Sequence, residues 1–486
     1  MKRVSNHFLD HFFWPDSVAI VGATNNPFKM NFRILENLVN LRFDGNIYPV
    51  NNRESEILGV KTYAKLQDIP NQVDLVVSAV PASKTMDVLK DCARIGVKHI
   101  VIVTGGFSEG GQDGKTLHEK IEAFAREKGL RILGPNTLSP VNTANSFIVS
   151  FNPVRKMSQG NLSFAFQSGF YEPKINWIFS HFGINKMLDM GNKLDINELD
   201  ALEYFSRDPE THVIAMHIES LHSNGRDFFN LLKSVTMQKP VIILKSGRTQ
   251  AGSRAAASHT GALAKENDVV FDCAIRQAGA IRAQNLEEFF DLAKAFSFLP
   301  LPKGDRLAII TLSGGEGVMA TDSCEINQLK LASLSEKTHQ RLKKIFPKWE
   351  IPLNPFDGGV CMEFHLANLE VFFDTLAAIP EDENVDFAIM QMPPDFIHLQ
   401  SLDESEKTSP SLYRQYVDLI LKMNETEKPF ALWSTSMDRQ EMELIELIES
   451  YRLPVFPSSD RAVKSLAKMV RYSKYRSRSR SSMAQS

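Results

Sequence analysis

The sequence has few cysteines, and none of them forms a pair of the kind that binds metal or undergoes redox chemistry. Of 486 residues only four are cysteine, and Cys92, Cys273, Cys324 and Cys361 lie far apart. This usage argues against a disulfide scaffold and a zinc site, and it is typical of a reducing compartment. We therefore predict a cytoplasmic protein with no bound metal of its own.

Long apolar runs and an excess of charge are missing as well. No segment has the ~18 uninterrupted apolar residues of a membrane helix, and residues 1–14 contain aromatic residues and Asp10 where a signal peptide would be apolar. Lysine and arginine total 55 against 58 acidic residues, which leaves a formal net charge of -3. A balanced charge offers no general attraction to polyanions. We therefore predict no membrane and no nucleic acid among the partners.

Several catalytic motifs are also absent. The chain has no HExxH and no GxxxxGK[ST] segment. The last of these is the P-loop that holds nucleotide phosphates beside magnesium. Nothing in the chain therefore visibly binds ATP and its magnesium.

What the chain does contain is a repeated alternation of apolar strand patterns and helical patterns. A length of 486 residues exceeds one ordinary core, and about 150 residues per domain predicts three domains. The first series has strand patterns at residues 17–21, 46–50, 73–81, 99–104 and 131–133. Such alternation predicts α/β domains built on parallel sheets, with ligands beyond the carboxyl ends of the strands.

Composition suggests where the domains divide. Residues 140–160 lack a helical period and are rich in proline and asparagine, which is typical of a linker. A second series follows it, and a third begins after residues 301–304, so we predict domains at 1–150, 151–300 and 301–470. Residues 471–486 are rich in serine and arginine with little to bury, which predicts a disordered tail.

Four turns lie at the ends of strands of the first series, at residues 22–24, 79–81, 104–109 and 134–137. Because carboxyl ends of parallel strands share one edge of a sheet, these turns form a candidate nucleotide crevice. The full GxGxxG fingerprint is missing, and Asn51-Asn52 stands where a dehydrogenase would place an acid for the ribose. A nicotinamide-dependent enzyme is therefore the least favoured interpretation.

Two turns of the second series have phosphate-binding chemistry. Gln167-Ser168-Gly169 follows a strand and precedes a helix, which is either an anion site or a plain helix cap. An apolar strand at residues 240–244 leads into a predicted loop of small residues that presents His259, Arg248 and Arg254. Guanidinium groups hold anions and imidazole is a nucleophile or acid–base group. The loop by itself leaves open whether His259 acts this way or caps a helix.

Taken together, these segments resemble the CoA-binding, phosphohistidine half of the NDP-forming acyl-CoA synthetases, relatives of succinyl-CoA synthetase. The similar segments follow one order between about residues 17 and 468. They are VAIVGA at 18–23, AVPA at 79–82, GFSE at 106–109, GPN at 134–136, QSG at 167–169, GNK at 191–193, IE at 218–219, KSGR at 245–248 and SHTGA at 258–262. The resemblance implies a Rossmann-like CoA-binding domain followed by two flavodoxin-like domains.

The resemblance also implies a reaction. Acyl-CoA, phosphate and ADP would give a carboxylic acid, ATP and CoA, through an acyl phosphate and a phosphohistidine at His259, with Glu219 on the other ring nitrogen. The implied phosphate ligands are Ser168, Gly169, Ser258 and Gly261. The implied CoA ligands are Gly22, Ala23, Lys29, Val80, Pro81, Phe107 and Asn136.

A partner is implied for the nucleotide. The family handles ATP or ADP with magnesium on an ATP-grasp subunit or fused domain, for which the three α/β series leave no room, so a separate ATP-grasp β subunit in a hetero-oligomer is expected. The sequence departs from the family pattern at Thr137, Ser139, Phe170-Tyr171-Glu172-Pro173, Ser220 and Glu316. These departures keep open an alternative, a CoA- or acyl-CoA-binding regulatory subunit with altered catalysis.

Overall fold

The computed structural model describes residues 7–260, 267–365, 369–392, 412–435 and 439–483. The chain forms two compact units, Met1–Phe289 and Phe290–Ser486. In the described residues, the first unit contains two large sheets and a small two-stranded one, and the second unit contains one large sheet. Among the described residues, no helix is both long and apolar enough to cross a membrane.

The first sheet is a parallel five-stranded sheet with the order β2-β1-β5-β6-β7. Its strands are almost entirely buried, as expected for a sheet with helices on both faces. The elements are α1 (Asp10–Phe13), β1 (Ser17–Val21), α2 (Phe32–Asn40), β2 (Asn46–Val50), the hairpin β3 (Glu56–Ile57) and β4 (Val60–Lys61), β5 (Leu75–Ser78), α3 (Ala82–Ile95), β6 (His99–Ile102), α4 (Gly111–Lys128) and β7 (Arg131–Leu133).

The second sheet has seven strands in the order β14-β13-β12-β10-β11-β8-β9. Its elements are β8 (Val141–Asn142), β9 (Phe147–Ile148), β10 (Gln159–Phe166), α5 (Ile175–His181), β11 (Ile184–Asp189), α6 (Glu198–Arg207), β12 (Val213–Ile218), α7 (Gly225–Thr236), β13 (Val241–Lys245), α8 (Gln250–Thr260), α9 (Asp268–Gln277), β14 (Ile281–Ala283) and α10 (Leu286–Phe298).

The edge of this second sheet differs from the sequence prediction. The segment expected as a linker contains β8 and β9, and β8 pairs antiparallel with β11. Val141, Phe147 and Ile148 are fully buried there. The prolines and asparagines dominated the composition of the segment and obscured these apolar positions. The hairpin therefore belongs to the second sheet, so that sheet begins before residue 150.

The sheet of the second unit has the order β16-β15-β18-β19-β20, with β17 beside β15. Its elements are β15 (Arg306–Thr311), α11 (Gly314–Ile326), β16 (Lys330–Leu331), α12 (Glu336–Leu342), β17 (Phe356–Asp357), α13 (Gly358–Glu363), α14 (Leu369–Leu376), α15 (Ala378–Glu381), β18 (Phe387–Gln391), α16 (Leu412–Asn424), β19 (Phe430–Trp433), α17 (Arg439–Ser450), β20 (Val455–Phe456) and α18 (Ser459–Met483).

In each of the three large sheets the winding of the chain reverses direction beside the first main strand: β1 lies between β2 and β5, β10 between β11 and β12, and β15 between β16 and β18. This is the flavodoxin-like order 2-1-3-4-5, in which ligands bind at the reversal point beside the first strand. The prediction of an α/β protein with flavodoxin-like domains is confirmed. In the first unit the reversal points lie between β1 and β5 and between β10 and β12.

The basic tail also differs from its prediction, because α18 continues through residues 471–483. Tyr472 is buried and contacts the Phe296 ring edge-on, with the ring centroids 5.6 Å apart. Ser473 Oγ donates to the Pro302 carbonyl (2.8 Å), and Lys474 Nζ contacts Asp305 Oδ2 (2.7 Å). A single buried aromatic side chain and two polar contacts extend the helix, which average composition did not reveal. Residues 484–486 lie outside the described part of the chain.

Candidate functional site

A cavity of about 320 Å³ lies where turns from both sheets of the first unit meet. Asn136 comes from the turn after β7, and Gln167, Ser168 and Gly169 form the turn after β10. Asp189, at the end of β11, adds a carboxyl group to the wall. The rest of the lining is apolar: Val103, Leu138, Phe151 and Phe170. The structure thus brings one predicted CoA residue next to two predicted phosphate residues.

Close backbone contact fixes this arrangement. Gly191 has φ +54°, and a Cβ there would lie 2.2 Å from the Pro135 carbonyl oxygen, so only glycine fits. The N–H of Asn192 donates to that same oxygen (2.9 Å), and the N–H of Leu194 donates to the Gly134 carbonyl (3.0 Å). The turn after β11 therefore lies directly on the turn after β7.

Ser168 begins the turn that was predicted as an anion site. Its backbone is extended, and a 3₁₀ turn, Gly169–Lys174, follows it before α5 begins. Pro173 lies inside this 3₁₀ turn and has no N–H to donate. The hydroxyl of Ser168 makes no capping hydrogen bond. The first N–H groups of a helical turn have no acceptor within it, which leaves this turn suited to an anion.

Glu219 follows β12, which is the strand next to β10. One side chain joins the two strand ends: Gln167 Oε1 accepts the N–H of Glu219 (2.7 Å) and the N–H of Ser220 (3.1 Å). The predicted partner of the histidine and the predicted phosphate turn therefore meet at the reversal point of the second sheet. Ser220, a departure from the family pattern, is buried and takes part in this contact.

The segment that carries His259 is a helix and not the loop that the sequence suggested. The helix α8, Gln250–Thr260, contains the backbone of Ser258 and His259, while Gly261 lies outside the described residues, as do the side chains of Ser258 and His259. Alanine is the best helix former, and the residues between 251 and 257 include four alanines. The turn before α8 contains Gly247 at φ +71°.

The two arginines of this segment are placed differently. Arg248 Nη1 donates to the Gln284 carbonyl (2.9 Å), and Arg248 Nε lies 3.5 Å from Asp268 Oδ2. Arg254 is exposed on α8. Arg248 thus links β14 and α9 to the turn, a role that its sequence position did not indicate.

The predicted CoA turns lie at the other reversal point. Gly22 has φ +91°, and a Cβ there would lie 3.0 Å from the Ala79 carbonyl oxygen and 3.1 Å from Val80 Cγ1. Ala23 is buried, and its carbonyl accepts Asn51 Nδ2 (2.8 Å). The turns after β1 and β5 are therefore in contact, with Pro81 exposed beside them.

Two other predicted CoA residues are placed less favourably. Phe107 is completely buried in the core of the first sheet, so its side chain cannot contact a ligand in a surface crevice. Phe107 is buried because its side chain is hydrophobic, so only its backbone could contact CoA. Lys29 is exposed in the segment before α2, where its ammonium group is solvated.

The bulky residues that depart from the family pattern after Gly169 mostly pack into the core. Tyr171 is fully buried, stacks on Phe166 with ring centroids 4.3 Å apart and donates its hydroxyl to the Leu138 carbonyl (2.5 Å). Glu172 Oε2 accepts Ser150 Oγ (3.0 Å) and Asn152 Nδ2 (2.7 Å). Only Phe170 of the bulky residues lines the cavity. The departures therefore leave the phosphate turn accessible.

Asp189 and Glu172 are buried carboxyl groups that sequence reasoning did not assign to the site. Asp189 accepts the N–H of Leu138 (3.1 Å) and the N–H of Gly191 (3.0 Å). Burial raises the pKa of Asp189 to about 7, although these two N–H groups oppose the shift. Burial likewise raises the pKa of Glu172 to about 7 against its bonds to Asn152 and Ser150. A carboxyl residue at the end of an apolar strand was the available signal for Asp189.

These two groups predict a pH-dependent stability. A carboxyl group whose pKa is higher in the folded state binds its proton more tightly there, so its contribution is complete below the unfolded pKa of about 4.5 and is lost as pH rises through about 7. We expect Glu172→Gln, which cannot ionise, to raise the unfolding midpoint relative to the parent at pH 8 more than at pH 5. Thermal denaturation at both pH values measures this difference. An identical difference at both values would contradict the raised pKa.

Two family models match the part of the chain that contains the first two large sheets. The model described as CoA binding domain matches residues 16–142, and the succinyl-CoA ligase like flavodoxin domain matches residues 159–296. The α subunit of acetate–CoA ligase (ADP-forming) I from Pyrococcus furiosus is 34% identical over 479 residues, covering 97% of this chain and 99% of that subunit. The chain belongs to the family of ADP-forming acetate–CoA ligase α subunits. The family resemblance expected from the sequence motifs is therefore confirmed.

Other members of the family agree in fold and differ in length. Acetate–CoA ligase (ADP-forming) II from Archaeoglobus fulgidus is 38% identical over 385 residues, which are 78% of this chain and 56% of that relative. This chain thus spans little more than half the length of that ligase. Acetyl-coenzyme A synthetase 1 from Ca. Korarchaeum cryptofilum, solved with phosphate and ADP, aligns with a TM-score of 0.83 at 30% identity over 96% of this chain and 97% of that one.

Proposed function

We propose that this chain is the CoA-binding, phosphohistidine-carrying subunit of an ADP-forming acyl-CoA synthetase. The reaction is acyl-CoA, phosphate and ADP giving a carboxylic acid, ATP and CoA. The observation that carries the proposal is the junction of the Asn136 turn and the Ser168-Gly169 turn around one cavity, where Gln167 in the cavity wall also binds the backbone of Glu219. Joining a CoA crevice to a phosphate turn is what the conversion of an acyl thioester into an acyl phosphate requires.

The chemistry assigns a role to each group. Phosphate attacks the thioester carbonyl, CoA leaves, and the acyl phosphate then gives its phosphoryl group to a neutral ring nitrogen of His259 while the carboxylate departs. Glu219 accepts the N–H of the other ring nitrogen, which fixes the tautomer and stabilises the positive charge that develops. The N–H groups at Ser168 and Gly169 stabilise the phosphate oxygens, together with Ser258 and Gly261.

The final step requires a second protein. We propose an ATP-grasp subunit that holds ADP and magnesium and accepts the phosphoryl group from His259. The Pyrococcus relative is itself named an α subunit, and the described residues of this chain build three large, mainly parallel sheets. The hetero-oligomer would therefore divide the reaction between CoA chemistry on this chain and nucleotide chemistry on its partner.

Coupled turnover tests this function. The chain is purified with an ATP-grasp subunit from the same organism and supplied with acetyl-CoA, phosphate, ADP and magnesium. We expect ATP and free thiol to form in equal amounts, with neither formed when phosphate is omitted. The assay is repeated with larger aliphatic and aromatic acyl-CoA compounds. If the chain binds CoA but turns over neither acetyl-CoA nor any of these compounds, a regulatory subunit would be favoured instead.

The CoA crevice predicts a specific loss of affinity. Gly22→Ala places a Cβ 3.0 Å from the Ala79 carbonyl at φ +91°, which displaces the two turns that would hold CoA with Ala23, Val80, Pro81 and Asn136. We expect CoA to bind about tenfold more weakly, or about 1.4 kcal/mol, by isothermal titration calorimetry. Gly59→Ala is the matched control, because Gly59 has φ +76° with nothing within 4 Å of its Cβ position. Equal losses in both variants would mean that backbone strain alone is responsible.

A further inference from the structure

The backbone of Glu219-Ser220 is held by side chains on all four of its polar groups. Gln167 Oε1 accepts both N–H groups, at 2.7 and 3.1 Å. Lys245 Nζ donates to the Glu219 carbonyl (2.7 Å), and Lys193 Nζ donates to the Ser220 carbonyl (2.5 Å). We refer to Gln167, Lys193 and Lys245 as the Glu219 clamp.

The three clamp residues come from three different strand ends of the second sheet. Gln167 follows β10, Lys193 lies in the turn after β11 and Lys245 is the last residue of β13. All three side chains are buried. Burying an ammonium group is costly unless its hydrogen bonds are satisfied. A turn that needed only to end a strand would not require two buried lysines.

Further contacts make the clamp rigid. Lys193 Nζ also contacts Glu198 Oε2 (2.9 Å), and Glu198 Oε1 accepts the N–H groups of His222 and Ser223, both at 2.8 Å. Lys245 Nζ also donates to the Ser246 carbonyl (2.7 Å), which ties the Glu219 turn to the turn that leads into α8. The clamp thus connects Glu219 with the segment that carries His259.

We propose that Gln167, Lys193 and Lys245 are positioning residues that set the place of Glu219 relative to the phosphorylated histidine. This inference rests on the proposed function. A carboxylate that must meet an imidazole within hydrogen-bond distance gains from a backbone that is fixed before the reaction. Nothing in the resemblance to the family assigns a role to these three side chains, and the geometry does so through their contacts with one dipeptide.

Lys239 supplies a matched control on the same strand. Lys239 precedes β13 at its amino end, and its Nζ donates to the carbonyls of Phe205 (2.9 Å) and Asp208 (2.7 Å). Lys239 and Lys245 are therefore both lysines that bind two backbone carbonyls, at opposite ends of one strand. Only Lys245 contacts the Glu219 turn, so loss of a structural lysine and loss of positioning are distinguishable.

The test measures single-turnover phosphorylation of the chain by labelled ATP in the complex with its ATP-grasp subunit. We expect Lys245→Met to lower the rate about 10- to 100-fold. Lys239→Met should leave the rate unchanged, and CoA affinity should be unchanged in both variants. Equal effects of the two substitutions on the rate would overturn the proposal. Absence of label in the parent protein would instead refute the proposed function.

A double-mutant cycle separates positioning from a general loss of structure. If Lys245 acts through Glu219, Lys245→Met should lower the phosphorylation rate little further once Glu219→Gln is present. Losses of rate that multiply in the double variant would show that the two residues act independently, and would overturn the proposal. Should Lys245→Met fail to fold, Gln167→Met replaces it in the same cycle, since it removes the acceptor of both N–H groups at similar size. Gln167→Glu keeps that acceptor oxygen, so it should phosphorylate faster than Gln167→Met.

Discussion

Replacing His259 with glutamine should abolish phosphorylation of the chain. In the proposed reaction the imidazole of His259 is the group on this chain that receives the phosphoryl group, and a glutamine amide is not a nucleophile at neutral pH. We expect the incorporation of acid-labile phosphate to fall by more than about 1000-fold, which corresponds to about 4 kcal/mol in the barrier. Labelling from ATP in the complex, followed by acid treatment and intact-mass analysis, measures this loss.

The histidine prediction has a control within the same chain. His222 and His217 both lie near Glu219 in the sequence; the N–H of His222 donates to Glu198 Oε1 (2.8 Å), and His217 Nε2 lies 2.7 Å from Ser246 Oγ. His222→Gln should retain the acid-labile label, because His222 is exposed and has no part in the proposed transfer. Label that persists in His259→Gln and disappears in His222→Gln would move the phosphorylation site and refute the assignment.

Breaking the buried ion pair of the second sheet should destabilise the first unit strongly. Lys186 Nζ lies 2.7 Å from Asp208 Oδ2, and the two side chains are only 2% and 1% exposed. Asn185 Nδ2 and Thr211 Oγ1 also donate to that oxygen, each at 2.7 Å. Lys186→Met leaves the buried carboxylate without its cation, which typically costs about 3–5 kcal/mol. Urea unfolding followed by far-UV circular dichroism measures the loss.

The companion variants show whether charge is the cause. Combining Lys186→Met with Asp208→Leu should recover most of the lost stability, since replacing both partners of a buried pair by apolar residues is often neutral. Lys128→Met removes an exposed lysine paired with Glu127, and it should change the free energy of unfolding by less than about 1 kcal/mol. A double variant as unstable as Lys186→Met would point to packing around Lys186 instead.

The Glu219 clamp lies at the reversal point of the second sheet, where the proposed chemistry takes place. In the second sheet the turn after β12 receives contacts from the ends of β10, β11 and β13. The reversal point of a flavodoxin-like sheet opens a crevice between its first and third strands. In this chain, Gln167 Oε1 joins the ends of β10 and β12 at that point, which fixes the backbone of Glu219.

A related glutamine contact joins two strand ends in the second unit. Here the glutamine follows the third long strand and accepts hydrogen bonds from the end of the first. Gln391, at the end of β18, accepts Thr311 Oγ1 (2.8 Å) and the N–H of Leu312 (2.9 Å) after β15. Among the described residues no buried lysine contributes to this contact, and the first turn of α11, which follows it, contains Glu316. The same sheet order thus supports a glutamine bridge without the cationic part of the Glu219 clamp.

The sequence by itself determined the α/β class and the main strands of the three series. Residues 17–21, 46–50 and 131–133 form strands with the predicted bounds. These predictions succeed because an apolar strand and a glycine turn are local patterns, set by side-chain burial and by backbone conformations that few residues adopt. The ordered set of motifs was sufficient to identify the family.

Only the tertiary structure decided which of those turns meet. It buried Phe107 away from the crevice, exposed Lys29, extended α18 to Met483 and placed Asp189 in the cavity wall. It also showed that Lys193 and Lys245 bind one dipeptide from two different strands. These features depend on contacts between residues far apart in the chain, and a sequence pattern does not contain that information, because packing of whole sheets determines which strand ends become neighbours.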